Sequence, residues 1–185
     1  MSRDAQATRE KLIAAARRAF SERGFERTTV REIAGDAGVN PALINRYFGG
    51  KDELFAEAVS IDLAFPPLAD VARADIGRTL VAHFFKRWEG SREDDLLRVL
   101  IRTAATNEAA AARIRAIFAG QIIAMVTRVA GPDRAGERAA LIATQILGLA
   151  YVRYVLGLGE NGIPRHTIQA MVGDTVQRYL FDPLP

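Results

Sequence analysis

Two short apolar-periodic runs joined through one glycine constrain this chain more than any other feature. Residues Thr29 to Phe48 read TVREIAGDAGVNPALINRYF. Thr29 with Glu32 three residues later is a capping box: the threonine side chain satisfies a free amide near Glu32, and the glutamate reaches back. Val30, Ile33, Ala34 and Ala37 recur at helical spacing and predict a helix over 30–37. Gly38 stands where a tight turn between helices needs positive φ. Asn40 is a good N-cap, and Pro41 suits the first helical position, where its missing N–H has no intrahelical partner to lose. The second helix, Pro41 to Phe48, sets Ile44 and Phe48 on one face and Ala42, Asn45 and Arg46 on another. Small Ala34 lets the helices approach, and Val39 plugs the turn. Together these predict a helix-turn-helix. An ordinary helical hairpin shares much of the pattern. Against it stands the outer face of the second helix, which carries no acid and offers Asn, Arg and small or apolar groups. That chemistry suits base edges and phosphates.

The rest of the chain is also helical. Thr8 to Arg23 is a first helix with Leu12, Ile13, Ala16, Ala19 and Phe20 as its apolar stripe, stopped by Gly24. Arg17, Arg18 and Arg27 lie outside that stripe and read as a solvated face. Alternatively, Arg27, Thr28 and Thr29 meet a DNA phosphate at a helix N-terminus. Lys51 reads either as a surface charge or as a phosphate ligand. A fourth helix is expected from Lys51 to about Phe65, closed by Pro66-Pro67. Further helices are expected over 76–88, 94–104, 108–129 (capped by Asn107), 134–158 and 167–180. The 134–158 segment is apolar nearly all round, so it must be buried on most sides. The chain is therefore expected to be all-α, with no strand and no internal repeat.

Several function classes drop out. With no cysteine there is no disulfide framework, thiolate metal site or Cys nucleophile. His83 and His166 are far apart and lack a carboxylate at ligand spacing, so neither a metal site nor a Ser–His–Asp set assembles. Gly157, Gly159 and Gly162 form a literal GxGxxG, but it follows a helix where a dinucleotide site needs a strand. No catalytic set and no cofactor is expected. The N-terminus lacks the apolar run of a secretory signal. The uncharged stretch 139–152 is shorter than the ~20 residues of a membrane span. A cytoplasmic protein without membrane contact is the expectation. A net charge of +3 allows a nucleic-acid partner without demanding one.

TREKLIAAARRAFSERGF followed by TTVREIAGDAGVNPALINRYFGGKDEL resembles the N-terminal domain of the tetracycline-repressor (TetR) family over roughly residues 8 to 57. The C-terminal part matches only in being helical and of suitable length. The resemblance implies an N-terminal three-helix helix-turn-helix domain (1–50), followed by a C-terminal helical bundle for ligand binding and dimerisation (51–185). A connecting fourth helix opens that bundle. It also implies a homodimer on a double-stranded DNA operator, built mostly from the last two helices. Thr28 and Thr29 would sit at the phosphate backbone, with Asn40, Ala42, Leu43, Asn45 and Arg46 facing the major groove. Tyr47 and Lys51 would reach phosphates. Asn45 departs from the family, where many members carry Tyr or His; Asn pairs bidentately with adenine.

One short recognition helix reads few base pairs, so two copies on a near-palindromic site are expected. Residues Ile142, Ile146, Gly148, Leu149 and Val152 with Ile168, Met171 and Val172 are the expected dimer surface. The alternative is that the apolar helix fills the core of one chain. A small, largely apolar effector is expected among Phe65, Phe84, Phe85, Trp88, Asn107, Phe118 and Gln121, although aromatics at helical spacing also make ordinary core. The effector would tilt the helix 51–65 and change the spacing of the recognition helices. The reading is a ligand-responsive transcriptional repressor, not an enzyme. Its rival is a helical DNA-binding or interaction protein with no effector.

Overall fold

The helices that begin at Val30 and Glu108 start where the sequence places caps, at Thr29 and Asn107. The computed structural model describes residues 3–90, 95–158 and 162–185, and no strand occurs among them. Helix α1 spans Arg3–Arg23, α2 Val30–Ala37, α3 Ala42–Phe48 and α4 Lys51–Ala58. Two 3-10 turns, Leu68–Asp70 and Arg73–Asp75, lead into α5 (Ile76–Glu89), followed by α6 (Asp95–Ala104). Helix α7 (Glu108–Ile117) continues through a π turn, Phe118–Ile122, into α8 (Ile123–Ala130). By length and composition alone this run, Glu108–Ala130, would reach across a bilayer. Helix α9 (Ala135–Ala150) runs into a second π turn, Tyr151–Val155, and α10 covers Arg165–Phe181. The start of the expected 94–104 helix and the middle of the GxGxxG segment lie outside the described residues.

The chain divides into two compact units, Met1–Ile61 with Arg92–Arg115, and Asp62–Ser91 with Ala116–Pro185. The division thus falls later than the expected boundary after residue 50 and gives α6 to the N-terminal unit. In that unit Leu12, Ala15, Ala16, Ala19 and Phe20 of α1 are wholly buried. Phe55 of α4 meets Phe20 edge-on at 5.0 Å and Phe25 at 4.9 Å between ring centroids. Such aromatic contacts add about 0.5–1.5 kcal/mol beyond area burial. Asn107 caps α7 by accepting from the Ala110 amide at 2.9 Å, and its Nδ2 donates to Asp52 at 2.7 Å.

The fourth helix is shorter than expected. It stops at Ala58, and residues 60–67 are irregular. Side chains take the backbone groups that a longer helix needs. Arg17 Nε donates to the Ala58 carbonyl at 2.9 Å. Asp62 Oδ1 accepts from the Ala64 amide at 2.8 Å, while Ala64 itself has φ 48°. Gln121 Oε1 accepts from the Leu63 amide and His83 Nε2 lies against the Leu63 carbonyl, each at 2.8 Å. Local side-chain bonds of this kind compete directly with the helical ladder. A single rigid helix over 51–65, able to tilt as one lever, is therefore not part of this fold.

In the C-terminal unit α5 and α10 cross at backbone contact. Gly77 and Gly173 are both buried at the crossing, and the Gly77 amide donates to Gln177 Oε1 at 2.8 Å. Arg138, only 8% exposed, reaches from α9 to the end of α10. Its Nη1 lies 2.8, 3.0 and 3.0 Å from the carbonyls of Tyr179, Leu180 and Asp182. Those carbonyls close the last turn of α10 and have no partner further along the helix. Arg138→Met keeps the aliphatic bulk and removes the donor. It should lower stability by about 2 kcal/mol, the scale of a hydrogen bond to a charged group. Chemical denaturation checks this.

The prediction that the segment 134–158 is buried on most sides does not hold within one chain. Ala139, Ile142, Ala143 and Ala150 are buried, but Leu141, Leu147, Tyr151 and Val152 are 38–46% exposed. Leu156 and Leu158 are more exposed still. One side of the helix packs inward, and the other presents large apolar groups to solvent.

Candidate nucleic-acid interface

The capping box forms as the sequence predicts. Thr29 Oγ1 accepts from the Glu32 amide at 3.3 Å, and the Glu32 carboxylate accepts from the Thr29 amide at 2.8 Å. The Thr29 hydroxyl also donates to that carboxylate at 2.8 Å. The side-chain bond, then the backbone bond, hold the Glu32 carboxyl below its usual pKa. Gly38 has φ 67° and its neighbour Val39 donates to the Ala34 carbonyl at 2.9 Å, closing α2 with a reversed turn. Asn40 Oδ1 accepts from the Ala42 amide at 2.9 Å, so it caps α3 while Pro41 precedes the first helical residue. Ile33, Ala34 and Ile44 are fully buried, and Phe48 is 9% exposed. Val39 is only half-buried, a looser plug than expected.

Burying Ile44 and Phe48 fixes the rotation of α3 and decides what its outer face shows. Asn40, Ala42, Asn45 and Arg46 are exposed, and Leu43 and Tyr47 are half-buried beside them. The Arg46 guanidinium lies 5.9 Å from the centre of the Tyr47 ring. Lys51 is half-buried at the start of α4, its Nζ 4.2 Å above the Phe25 ring. This cation–π contact holds the ammonium near the end of α3. Thr29 is exposed, with its hydroxyl engaged in the cap. Thr28 differs from expectation. It is 1% exposed, and its hydroxyl donates to Gly24 O at 2.7 Å and Ala19 O at 3.2 Å. That side chain fastens the loop after α1 and is buried away from solvent. Arg17 likewise serves the fold, through Ala58.

The expected effector residues do not gather. Phe84, Phe85 and Trp88 are at most 5% exposed. Trp88 stacks on Tyr154 at 5.1 Å, and Phe84 meets Phe85 and Trp88 at 5.4 and 5.5 Å. They make core. Burial, then the bond to Glu89, push the Tyr154 phenol above its usual pKa, so its hydroxyl stays protonated as a donor. Asn107 belongs to the N-terminal unit, where it caps α7. Gln121 is engaged with Leu63, and Phe118 is half-buried. Only Phe65 lines the cavity of about 520 Å³ in the C-terminal unit, with the segment 66–69, Ile76, Arg128 and Val129. Arg128 and Val129 are the members of this lining that helical periodicity could not single out.

The expected dimer residues separate by exposure. Ile142 and Ile168 are buried inside the unit at 4% and 9%. Gly148, Val152 and Met171 are exposed, and Ile146, Leu149 and Val172 are half-buried. Leu141, Leu147 and Tyr151 join the exposed group. A helix period that looked apolar all round concealed which residues face out.

Residues 12–58 match the family described as bacterial regulatory proteins, tetR family. Residues 74–180 match the tetracyclin repressor-like C-terminal domain. The HTH-type transcriptional regulator BetI of Brucella anthropi is 30% identical over 162 residues, covering 80% of this chain and 82% of that protein. The likeness to BetI of Brucella canis is confined to 46 residues at 54% identity, 25% of this chain and 23% of that protein. A solved transcriptional regulator from Rhodococcus sp. Rha1 shares 28% identity over 96% of this chain and 99% of its own, with a TM-score of 0.65. The multidrug binding protein EbrR, complexed with ethidium, has a TM-score of 0.67 over 96% and 99% of the two chains. At 20% identity this is a likeness of fold. With a capped helix-turn-helix whose second helix shows Asn45 and Arg46 outward, and with both halves matching the family, this chain belongs to the TetR family of DNA-binding transcriptional regulators.

Proposed function

We propose that the protein is a repressor that holds a near-palindromic operator as a homodimer and releases it when a small, largely apolar ligand binds. The observation that carries the DNA part is the outer face of α3. Ile44 and Phe48 are buried, while Ala42, Asn45 and Arg46 stand free of the core. Residues 1–50 would supply the reading head, and 51–185 the effector and dimer functions. Helix α6 would move with the reading head, since it packs in the same unit. In this arrangement Asn40, Ala42, Leu43, Asn45 and Arg46 meet the major groove. Thr29, Tyr47 and Lys51 hold phosphates. Such work belongs in the cytoplasm, beside the chromosome.

Dimerisation is supported by the exposed apolar residues Leu147, Tyr151 and Val152, close together along one helix, and by exposed Met171 on α10. Exposed apolar groups that cluster in this way mark interaction surfaces. Paired copies would set two recognition helices about 34–36 Å apart, or a multiple of that. The effector reading is supported by the cavity beside Phe65, and by a fold neighbour described as a multidrug binding protein. Ligand and operator then oppose each other by one shared coupling energy. Because α4 ends at Ala58, the coupling needs more than one rigid connecting helix.

A gel shift with the DNA upstream of the protein's own gene tests the proposal. Binding at two half-sites, with release by a small apolar compound, is the expected result. Binding that no compound releases would favour an architectural protein without an effector. Asn45→Ala should change base preference at one position of each half-site, by about 1–3 kcal/mol of discrimination. A randomised operator selection measures it, and an unaltered preference would remove Asn45 from base readout. Lys51→Ala should weaken all DNA sequences alike and reduce the slope of log affinity against log salt by about 1 per half-site. An unchanged slope leaves Lys51 as a surface charge on Phe25.

A further inference from the structure

The cavity of about 520 Å³ in the C-terminal unit combines an apolar wall with a single charge. Residues 65–69, Ile76 and Val129 line it, and Arg128 adds a guanidinium. No carboxylate is among these residues. Arg128 is exposed and makes no hydrogen bond or ion pair with any described residue. Several other arginines of the same unit are engaged: Arg78 with Asp174, Arg134 with Glu137, Arg138 with the end of α10, and Arg153 and Arg165 with Glu89. The cavity wall is also stiff. Pro66 and Pro67 have fixed φ and no N–H. Just before them, Leu63 is held on both its amide and its carbonyl by Gln121 and His83. A wall so held is formed before any ligand arrives, which reduces the ordering cost of binding.

We infer that this cavity takes an anionic amphiphile, a monocarboxylate with an aliphatic or aromatic body, whose acid group pairs with Arg128 while its body lies on Phe65, Leu68 and Val129. This rests on the effector reading above and gives it a ligand class. The volume falls in the usual range of small-molecule sites, ~300–1,000 Å³, which are mostly apolar with few placed polar groups. The two prolines offer no main-chain donor to a carboxylate, and Arg128 is the charged side chain among the lining residues, so the recognition of charge is assigned to it. A guanidinium binds a carboxylate through two parallel N–H···O bonds. A cationic amphiphile of the same shape meets the wrong sign. Because Arg128 is solvent-exposed, the preference for the acid over the alcohol is set at roughly tenfold and should shrink with salt.

The test is calorimetric titration of the full-length protein with decanoate, decanol and decyltrimethylammonium, each below its micelle concentration and at low salt. Decanoate should bind about tenfold tighter than decanol, and the cation weakest. Arg128→Gln, at an exposed position, should bring decanoate to the level of decanol and leave decanol unchanged, while Arg128→Lys restores most of the preference. Ala69→Trp, also at an exposed position, should fill the cavity and abolish all three. If decanol binds but decanoate binds no better, or if the preference survives Arg128→Gln, the charge assignment fails and the effector reading stands. If ligands bind Ala69→Trp as they bind the wild type, they lie elsewhere and the inference is overturned. If none of the three binds, the inference also fails. The effector reading itself fails only if no small apolar compound releases the operator in the gel shift.

Discussion

Gly77→Ala should destabilise the protein by about 3 kcal/mol, while Gly136→Ala, the same change on another helix, should leave it unharmed. A methyl built on Gly77 would lie 2.2 Å from the carbonyl oxygen of Gly173 and 2.7 Å from the Gln177 amide nitrogen. From the other side, a methyl on Gly173 would lie 2.8 Å from Arg78 Cα. These neighbours are backbone, so no side-chain rotation relieves them. Helices α5 and α10 must separate, and the Gly77–Gln177 bond stretches as they do. Overpacking of a tight core costs typically about 1–3 kcal/mol and more where nothing can yield. In a chain of this size that corresponds to a fall in Tm of roughly 6–12 °C. At Gly136 nothing lies within 4 Å of the added methyl. There alanine gains helix propensity of roughly 0.5–1 kcal/mol, so the sign reverses. Both should be measured as shifts of the denaturant midpoint at one protein concentration, because association also moves the midpoint. Equal midpoints for the two variants would mean that α5 and α10 do not meet backbone to backbone.

Features of the sequence that a short-range rule decides are legible in it. The Thr29–Glu32 box, the left-handed Gly38, the Asn40 and Asn107 caps and the inward Ile44 and Phe48 each depend on residues within four positions of one another. The all-α class and the TetR membership followed from that stretch. What escaped depends on partners distant in sequence. The end of α4 is set by Arg17, more than 40 residues earlier. The path of residues 62–64 is set by His83 and Gln121. Thr28 looked available for DNA because the carbonyl of Ala19, nine residues before it, cannot be seen in a linear motif. The aromatic run Phe84, Phe85 and Trp88 turns inward, as core aromatics do, with Phe84 and Trp88 meeting Tyr154 from another helix. The cavity took shape from an irregular segment and Arg128, which no periodicity links.

Gly148→Trp should convert a dimer into a single chain and reduce operator affinity by roughly a thousandfold, with the fold of each chain intact. The position separates the two effects cleanly. Gly148 is exposed in α9, it has ordinary helical φ, and nothing lies within 4 Å of a methyl placed there. A larger side chain can therefore leave the backbone here without displacing it, and an indole extends over the outer face of α9. It would stand between Leu141, Leu147, Tyr151 and Val152, the apolar groups that the monomer leaves in water. If a second α9 covers them, the helices must approach over the small Gly148, and a tryptophan holds them apart. A two-fold contact doubles the damage, since each residue of the patch appears on both copies. Losing one half-site then removes its base and phosphate contacts together, which is why the loss of affinity should far exceed the effect of Asn45→Ala. Sedimentation reports the mass, circular dichroism the fold, and a gel shift the affinity. A variant that stays dimeric would move the interface away from α9. A variant that is monomeric yet binds the operator as tightly as the parent would remove the need for two recognition helices.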